Sequence, residues 1–508
     1  MRVLVTGGTG VIGGGLLPEL LKAGHEVRLL SRGADKAVQD YPAGVTDFRA
    51  DITDPASLNG AAEGCHTVIH ISGIVEETPP EVTFNSVNVE GARNVMLEAI
   101  RSDVRRFIYL SSLGAERGES AYHKSKREAE MIVRSFPGEW VILRPGNVYG
   151  PHDDVISTLL KMVRSLPAVP VVEGGDQPFQ PIWHQDLAQA IVKSLSMSGL
   201  DGRVLQLAGA DITTTAAVID KLCQITSRQP VKIALPAWLA QLGVKIAEKV
   251  GASNIAAEKA NLALPLNSSK LQMLMEENVI RDPAENALLH IFKIEPLPLD
   301  QGLVKLADAL PEMSPDQGVG KLERKEFSTE IFNSPYGAAE LCSLVRERIN
   351  EVMAIEFAAE PGTPEQVEEG ATLTGKIPGR GNIQVRVLED SPTGFAMITV
   401  EGHPLAGLVT FSAKDITGGV RFQIETVVRA SNILDWLALR TVGNSMQDQN
   451  WKQTIANVVR LSGGGAPNGV KKCVEQLNDQ DAKAMEERIE RKLHSLKRKE
   501  NEAVVAEA

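Results

Sequence analysis

Cysteine pairs, excess positive charge and long apolar runs are what this chain lacks. Its 508 residues include four cysteines, Cys65, Cys223, Cys342 and Cys473, with no Cys-x-x-Cys and no Cys/His spacing. That argues against a disulfide framework or a zinc site and fits reduced core thiols. Lys+Arg number 53 against 65 Asp+Glu, a net charge of −12. Such a balance argues against a nucleic-acid backbone as the main partner. No apolar run reaches the roughly 18 residues of a membrane span. The chain opens directly on a core strand pattern, which leaves no room for a signal peptide, so the cytoplasm is the expected location. With 43% hydrophobic and 23% charged residues the composition is that of a soluble globular protein. The length predicts two or three domains.

What is present begins at residue 1. The apolar strand around Val3–Val5 runs into a turn with glycine at 7, 10 and 13, and a helical pattern follows. Glycine allows positive φ and a close backbone approach. The helix N-terminus offers free N–H groups and the positive end of a dipole to a pyrophosphate. Strands are expected at Arg2–Val5, Glu26–Leu30, Asp47–Ala50, Thr67–Ile71, Arg106–Leu110 and Trp140–Leu143. Helices are expected at Gly13–Ala23 and Asn85–Ile100. Alternating strands and helices predict βαβ units and a doubly wound parallel sheet, with ligand at the strands' carboxyl ends.

Residues 151–312 read as mixed. A short strand, a cap at Asp186 and a helix are expected around Pro181–Ile191, and 212–310 reads as mainly helical. His184 is open to two readings, a substrate contact or a turn cap. Residues 313–325 have the composition of a linker. Beyond it, Ile383–Leu388, Phe395–Val400, Leu408–Ala413 and Val420–Val428 predict an antiparallel meander, with helices at Ser431–Leu439 and Trp451–Val459. This gives a separate α+β domain over 326–475. His403 has no Cys, Ser or carboxylate partner that the sequence places beside it, so a binding or interaction role is preferred there. Residues 476–508 form a charged tail in which Met485, Ile489, Leu493 and Leu496 recur at helical spacing. It is either a solvated terminal helix or a partner-binding one.

A second chemical signal is Tyr122-His-Lys-Ser-Lys126. Tyrosine and lysine four apart share a helix face, and an ammonium beside a phenol stabilises phenolate. The strand ending in Ser111-Ser112 offers a hydroxyl to the same substrate oxygen. Hydride transfer at an alcohol or carbonyl carbon requires such a proton relay and oxygen clamp beside a nicotinamide. With Thr6–Gly13, Asp51-Ile52, His70–Gly73, Asn88–Asn94 and Leu143–Pro151, the first 310 residues resemble an extended or atypical short-chain dehydrogenase/reductase of the NAD-dependent epimerase/dehydratase type. The C-terminal part faintly resembles an uncharacterised β-rich family fused to such proteins. The resemblance implies a Rossmann sheet with a helical substrate lobe and a small-molecule substrate. It implies Tyr122 as acid/base, Lys126 lowering its pKa and holding the nicotinamide ribose, and Ser112 orienting the substrate oxygen with Ser111 beside it. It implies that Thr6, Gly7, Gly10, Val11, Ile12 and Gly13 form the pyrophosphate turn. Asp51 and Ile52 would bracket the adenine, Ser72, Gly73, Pro145 and Gly146 would line the nicotinamide side, and Asn88 would stand behind the site. A homodimer is a further expectation from the resemblance.

The second strand ends Leu30-Ser31-Arg32, without the acidic residue that binds a ribose 2′-hydroxyl. Serine and arginine suit a 2′-phosphate, so NADP(H) is favoured, with NAD(H) as the alternative. The Val148–Asp154 loop also resembles the branch related to a respiratory complex I subunit that holds NADPH without turnover. A non-catalytic, partner-docking role is therefore the second functional reading.

Overall fold

The structure is a computed structural model. It describes residues 1–236, 276–357, 360–362, 364, 367–377, 381–438 and 444–506. Seven parallel strands form the first sheet: β1 (Arg2–Thr6), β2 (Glu26–Ser31), β3 (Val45–Arg49), β4 (Thr67–His70), β5 (Arg106–Leu110), β6 (Glu139–Pro145) and β7 (Arg203–Leu207). Their order is β3-β2-β1-β4-β5-β6-β7, so the direction of winding reverses between β1 and β4. That reversal opens a crevice at the carboxyl ends of β1 and β4. β4 and β5 are buried along their whole length, as parallel strands covered on both faces must be. Val5, Leu29, Ile108 and Leu143 face α1 (Val11–Lys22) on one side. Leu4, Val68, Phe107 and Ile142 face α2 (Gly91–Arg101) and α3 (Ala121–Val133) on the other.

The predicted strands recur within a few residues. The helix expected from Gly13 starts at Val11, and Asn85–Glu90 is a wider π-type turn that leads into α2. A smaller lobe with α4 (Ile156–Ser165), α5 (His184–Ser194), α6 (Thr215–Ile225) and α7 (Leu299–Asp308) closes the other side of the crevice. α5 is capped at Trp183 rather than Asp186. The Asp186 carboxylate instead accepts a hydrogen bond from the Leu297 backbone N–H at 2.8 Å. Among the described residues of the stretch 212–310, a strand at Val231–Leu235 pairs with Ala168–Val172, where a helix is expected. Much of that stretch, residues 237–275, lies outside the described residues.

The expected linker is mostly a strand. β8 (Val319–Phe332) begins inside it and lies in an eight-stranded antiparallel sheet with the predicted meander. Lys321, Glu323 and Arg324 give the segment its linker-like charge, yet Leu322, Phe327 and Ile331 point into two cores. One face of this sheet is covered by α8 (Ala338–Glu347) and α9 (Asn444–Leu461). The other is covered by the C-terminal helix α10 (Asp479–Ala506), whose Ile489, Leu493 and Leu496 pack on Leu388, Ile398 and Leu408. The tail is thus neither solvated nor free for a partner on its apolar side. Its polar side reaches the first sheet's lobe: His494 pairs with Asp40 at 2.5 Å and Lys36 with Glu490 at 3.0 Å. α4 is gripped as well, since buried Arg164 forks onto Glu360 (3.0 and 2.7 Å) and Gln384 (2.7 Å). The four cysteines are free thiols, but only Cys65 and Cys342 are buried, and Cys473 lies exposed on an edge strand. No described helix is long and apolar enough to cross a membrane.

Candidate active site

The crevice is a cleft of about 1320 Å³. It is built first by the turn after β1. Gly7 has φ +74°, and a Cβ there would come within 2.7 Å of the Ser72 backbone nitrogen. Only glycine lets the turn pass that backbone. Gly13 packs against Gly8, where a Cβ would meet the carbonyl oxygen at 2.0 Å. Gly10 is different. A Cβ there would meet nothing nearer than the Gly7 oxygen at 3.8 Å. It caps α1 without a side chain, so the glycine leaves open a cradle at a helix N-terminus.

Gly7, Gly10, Val11, Ile12, Ser31, Arg32, Asp51 and Ile52 line this end of the cleft. Ser72, Gly73, Ser111, Ser112, Tyr122, Lys126, Pro145 and Gly146 line its centre. Three predicted residues stand behind the wall. Thr6 is buried against His70, with Oγ1 2.7 Å from Nδ1. Gly13 lies within α1. Asn88 grips the backbone of Ile74 through both amide atoms (2.8 and 3.1 Å) and donates to Ser125 at 3.0 Å. It fastens the turn after Gly73 to the helix that carries Tyr122.

The residues present fit a dinucleotide. The Gly10 cradle lies where a pyrophosphate meets a helix N-terminus. The Ser31 hydroxyl is buried without a hydrogen-bond partner, and Arg32 makes no ion pair among the described residues. Both offer donors to a group at the end of β2.

α3 places Tyr122 and Lys126 on one face. Lys126 Nζ donates to the Leu110 carbonyl at 2.7 Å and lies 4.8 Å from the centre of the Tyr109 ring. Burial brings its pKa down to about 8, with Glu130 acting the other way. Burial pushes the Tyr122 phenol up to about 12, and a hydrogen bond with Ser112 pulls it down. Ser112 thus sits on the tyrosine. Ser111 turns away: its hydroxyl donates to Glu130 at 2.6 Å, and Glu130 is held by both guanidinium arms of Arg144 at 2.8 Å. His184 is buried where α5 meets the glycines of α1 and the Val148–Tyr149 strand, so it packs rather than faces a ligand. His403 accepts from the Leu405 backbone N–H at 2.9 Å, which is a turn contact.

The sequence reading missed His152 and Glu276. His152 lines the cleft in a left-handed conformation, φ 69°, that non-glycine residues seldom adopt. Glu276 lies beside the start of α3, more than 150 residues along the chain, and no local pattern marks it.

Residues 3–208 match the NAD dependent epimerase/dehydratase family. That stretch of the chain is similar to this family, and a separate antiparallel-sheet region follows it. Among curated proteins, the chain is 28% identical over 240 residues to "NADH dehydrogenase [ubiquinone] 1 alpha subcomplex subunit 9, mitochondrial" of Arabidopsis thaliana (46% of this chain, 60% of that protein). It is 34% identical over 171 residues to "Ceramide reductase" of Caulobacter vibrioides (34% and 53%). The chain thus spans just over half the length of these two relatives. A solved UDP-glucose 4-epimerase of Thermus thermophilus in complex with NAD is 25% identical, with a TM-score of 0.40 over 46% of this chain and 86% of that one.

Proposed function

We propose that this protein is an NADP(H)-dependent oxidoreductase or epimerase/dehydratase acting at an alcohol or carbonyl carbon. The observation that carries this reading is the convergence of Ser112, Tyr122 and Lys126 on the same cleft as the Gly10 cradle. Gly7, Gly10, Val11 and Ile12 would hold the pyrophosphate, Asp51 and Ile52 the adenine, and Ser31 and Arg32 a 2′-phosphate. Lys126 would hold the nicotinamide ribose. The nicotinamide, when bound, supplies or accepts hydride. Tyr122 Oη gives or takes the proton, and Ser112 Oγ holds the substrate oxygen beside it. A charged Lys126 and the Ser112 hydrogen bond both favour phenolate, against the burial that opposes it.

The substrate half of the cleft is lined by Val82, Leu159, Met162 and Phe179 and by the carboxylates Glu81, Asp154 and Asp176. Among the described lining residues, Arg32 and Lys126 are the lysine and arginine groups, and both belong to the cofactor end. Carboxylates repel phosphate, so an uncharged, mostly apolar alcohol or carbonyl compound is the substrate class these walls support.

The test begins with NADPH and NADH titrations read by nicotinamide fluorescence. A panel of uncharged carbonyl compounds follows, with Tyr122→Phe as control. NADPH binding with turnover that falls by about 10²-fold or more in Tyr122→Phe would support the reading. Tight NADPH binding with no turnover in the wild type would favour the second reading, a nucleotide held for structure or redox sensing. The likeness to the mitochondrial NADH dehydrogenase subunit is what favours that alternative.

A further inference from the structure

We infer that Glu276 is a positioning residue for the tyrosine helix, acting through His123 and the helix start. Its Oε1 accepts from the backbone N–H groups of Glu119 (3.0 Å) and Ser120 (2.7 Å). Its Oε2 lies 2.5 Å from His123 Nδ1 and accepts from the Ser120 hydroxyl at 3.2 Å. Ser120 is itself the cap of α3, since its hydroxyl accepts from the His123 N–H at 3.3 Å. One carboxylate therefore fastens the cap, the two N–H groups at and before it, and the first-turn histidine. An anion there is also favoured by the helix dipole.

The place of the histidine is built rather than incidental. A Cβ at Gly114 or at Gly118 would come within 2.3 Å of the His123 ring, so the ring occupies space that two glycines leave. That ring lies 5.1 Å from the ring of Tyr122, centre to centre. Fixing His123 thus fixes the tyrosine beside it.

The same short segment reaches the opposite wall of the cleft. Asn278 donates to Asn147 at 2.6 Å, just beyond Pro145-Gly146, and its carbonyl accepts from the Gln180 N–H at 3.0 Å. Residues 276–280 are a strap from the nicotinamide wall to the start of the tyrosine helix. A carboxylate that only balanced charge would not need four donors from a single turn.

This assignment rests on the oxidoreductase reading only for its kinetic arm. The full-length, NADPH-loaded protein is compared with Glu276→Ala and Glu276→Gln by amide hydrogen exchange and by reduction of 4-nitrobenzaldehyde, a generic carbonyl probe. In Glu276→Ala the Glu119 and Ser120 amides exchange at least about tenfold faster. Its kcat falls about tenfold, as a displaced acid/base requires, while the Kd for NADPH stays within about twofold. Glu276→Gln keeps a carbonyl oxygen for the two N–H groups and restores most of the protection and most of kcat. Unchanged exchange in Glu276→Ala overturns the assignment, as does a kcat loss matched by an equal loss of NADPH affinity. A wild type that binds NADPH but reduces no carbonyl sinks the oxidoreductase reading instead, and the exchange result then decides the role of Glu276.

Discussion

Lys126 holds an ammonium where burial penalises charge. Free lysine titrates near 10.5 and this one near 8. Below pH 8 the group is charged in the folded and the unfolded chain alike, so the burial penalty is fully present. Above 10.5 it is neutral in both and the penalty is gone. In the cofactor-free protein, Lys126→Met should raise Tm relative to wild type more at pH 7 than at pH 10. An equal difference at both pH values would mean that burial does not set this pKa. At the other end of the cleft, Arg32 is the test of cofactor choice. Arg32→Glu should weaken NADPH by at least about tenfold and leave NADH nearly unchanged, because a carboxylate repels a 2′-phosphate and can accept from a 2′-hydroxyl. Paired fluorescence titrations decide this, and equal losses for both nucleotides would place Arg32 outside the recognition of the ribose.

The glycine turn is an element whose members have separable duties. Gly7 carries the strained backbone, and Gly7→Ala should cost about 1–3 kcal/mol in urea unfolding. Gly10 has φ −95° and ψ −174°, a conformation open to any residue, with free space where a side chain would start. Gly10→Val should therefore leave Tm within a degree or two of wild type and abolish nicotinamide fluorescence enhancement. NADPH bound as tightly by Gly10→Val as by wild type would show that no pyrophosphate lies in that cradle. This element was legible in the sequence because strand, glycine spacing and helix are all local. Ser111 shows where local reading stops. Its place after β5 follows from the sequence, but its hydroxyl donates to Glu130 on another element, which Arg144 holds in turn. Glu276 had no local signal at all, since its partners lie at 119–123.

At the scale of the molecule, α10 joins the two sheets. Its apolar stripe covers one face of the second sheet while His494 and Glu490 meet Asp40 and Lys36. Ile489→Ala should destabilise the second sheet by about 2–4 kcal/mol in urea unfolding, as a buried methyl cluster requires. A change within about 0.5 kcal/mol would mean that the tail is solvated after all. The amphipathic period of the tail was visible, but what covers it was not. Heptad-like spacing states that a face will be buried and says nothing of its partner. The linker misreading has the same origin. Charged side chains such as Lys321, Glu323 and Arg324, exposed or half-buried, are found in strands and linkers alike.

By itself the sequence determined the parallel sheet, the glycine turn, the antiparallel meander and the Tyr122–Lys126 pair. Each is encoded in spacing over a few residues, through side-chain period, positive φ or helix geometry. Tertiary structure alone decided that Glu276 and Asn278 strap the site, that Glu130 takes Ser111, and that Arg164 and α10 bind the two sheets together. Those contacts join residues far apart in the chain, and only the packed chain brings their donors and acceptors within hydrogen-bond reach.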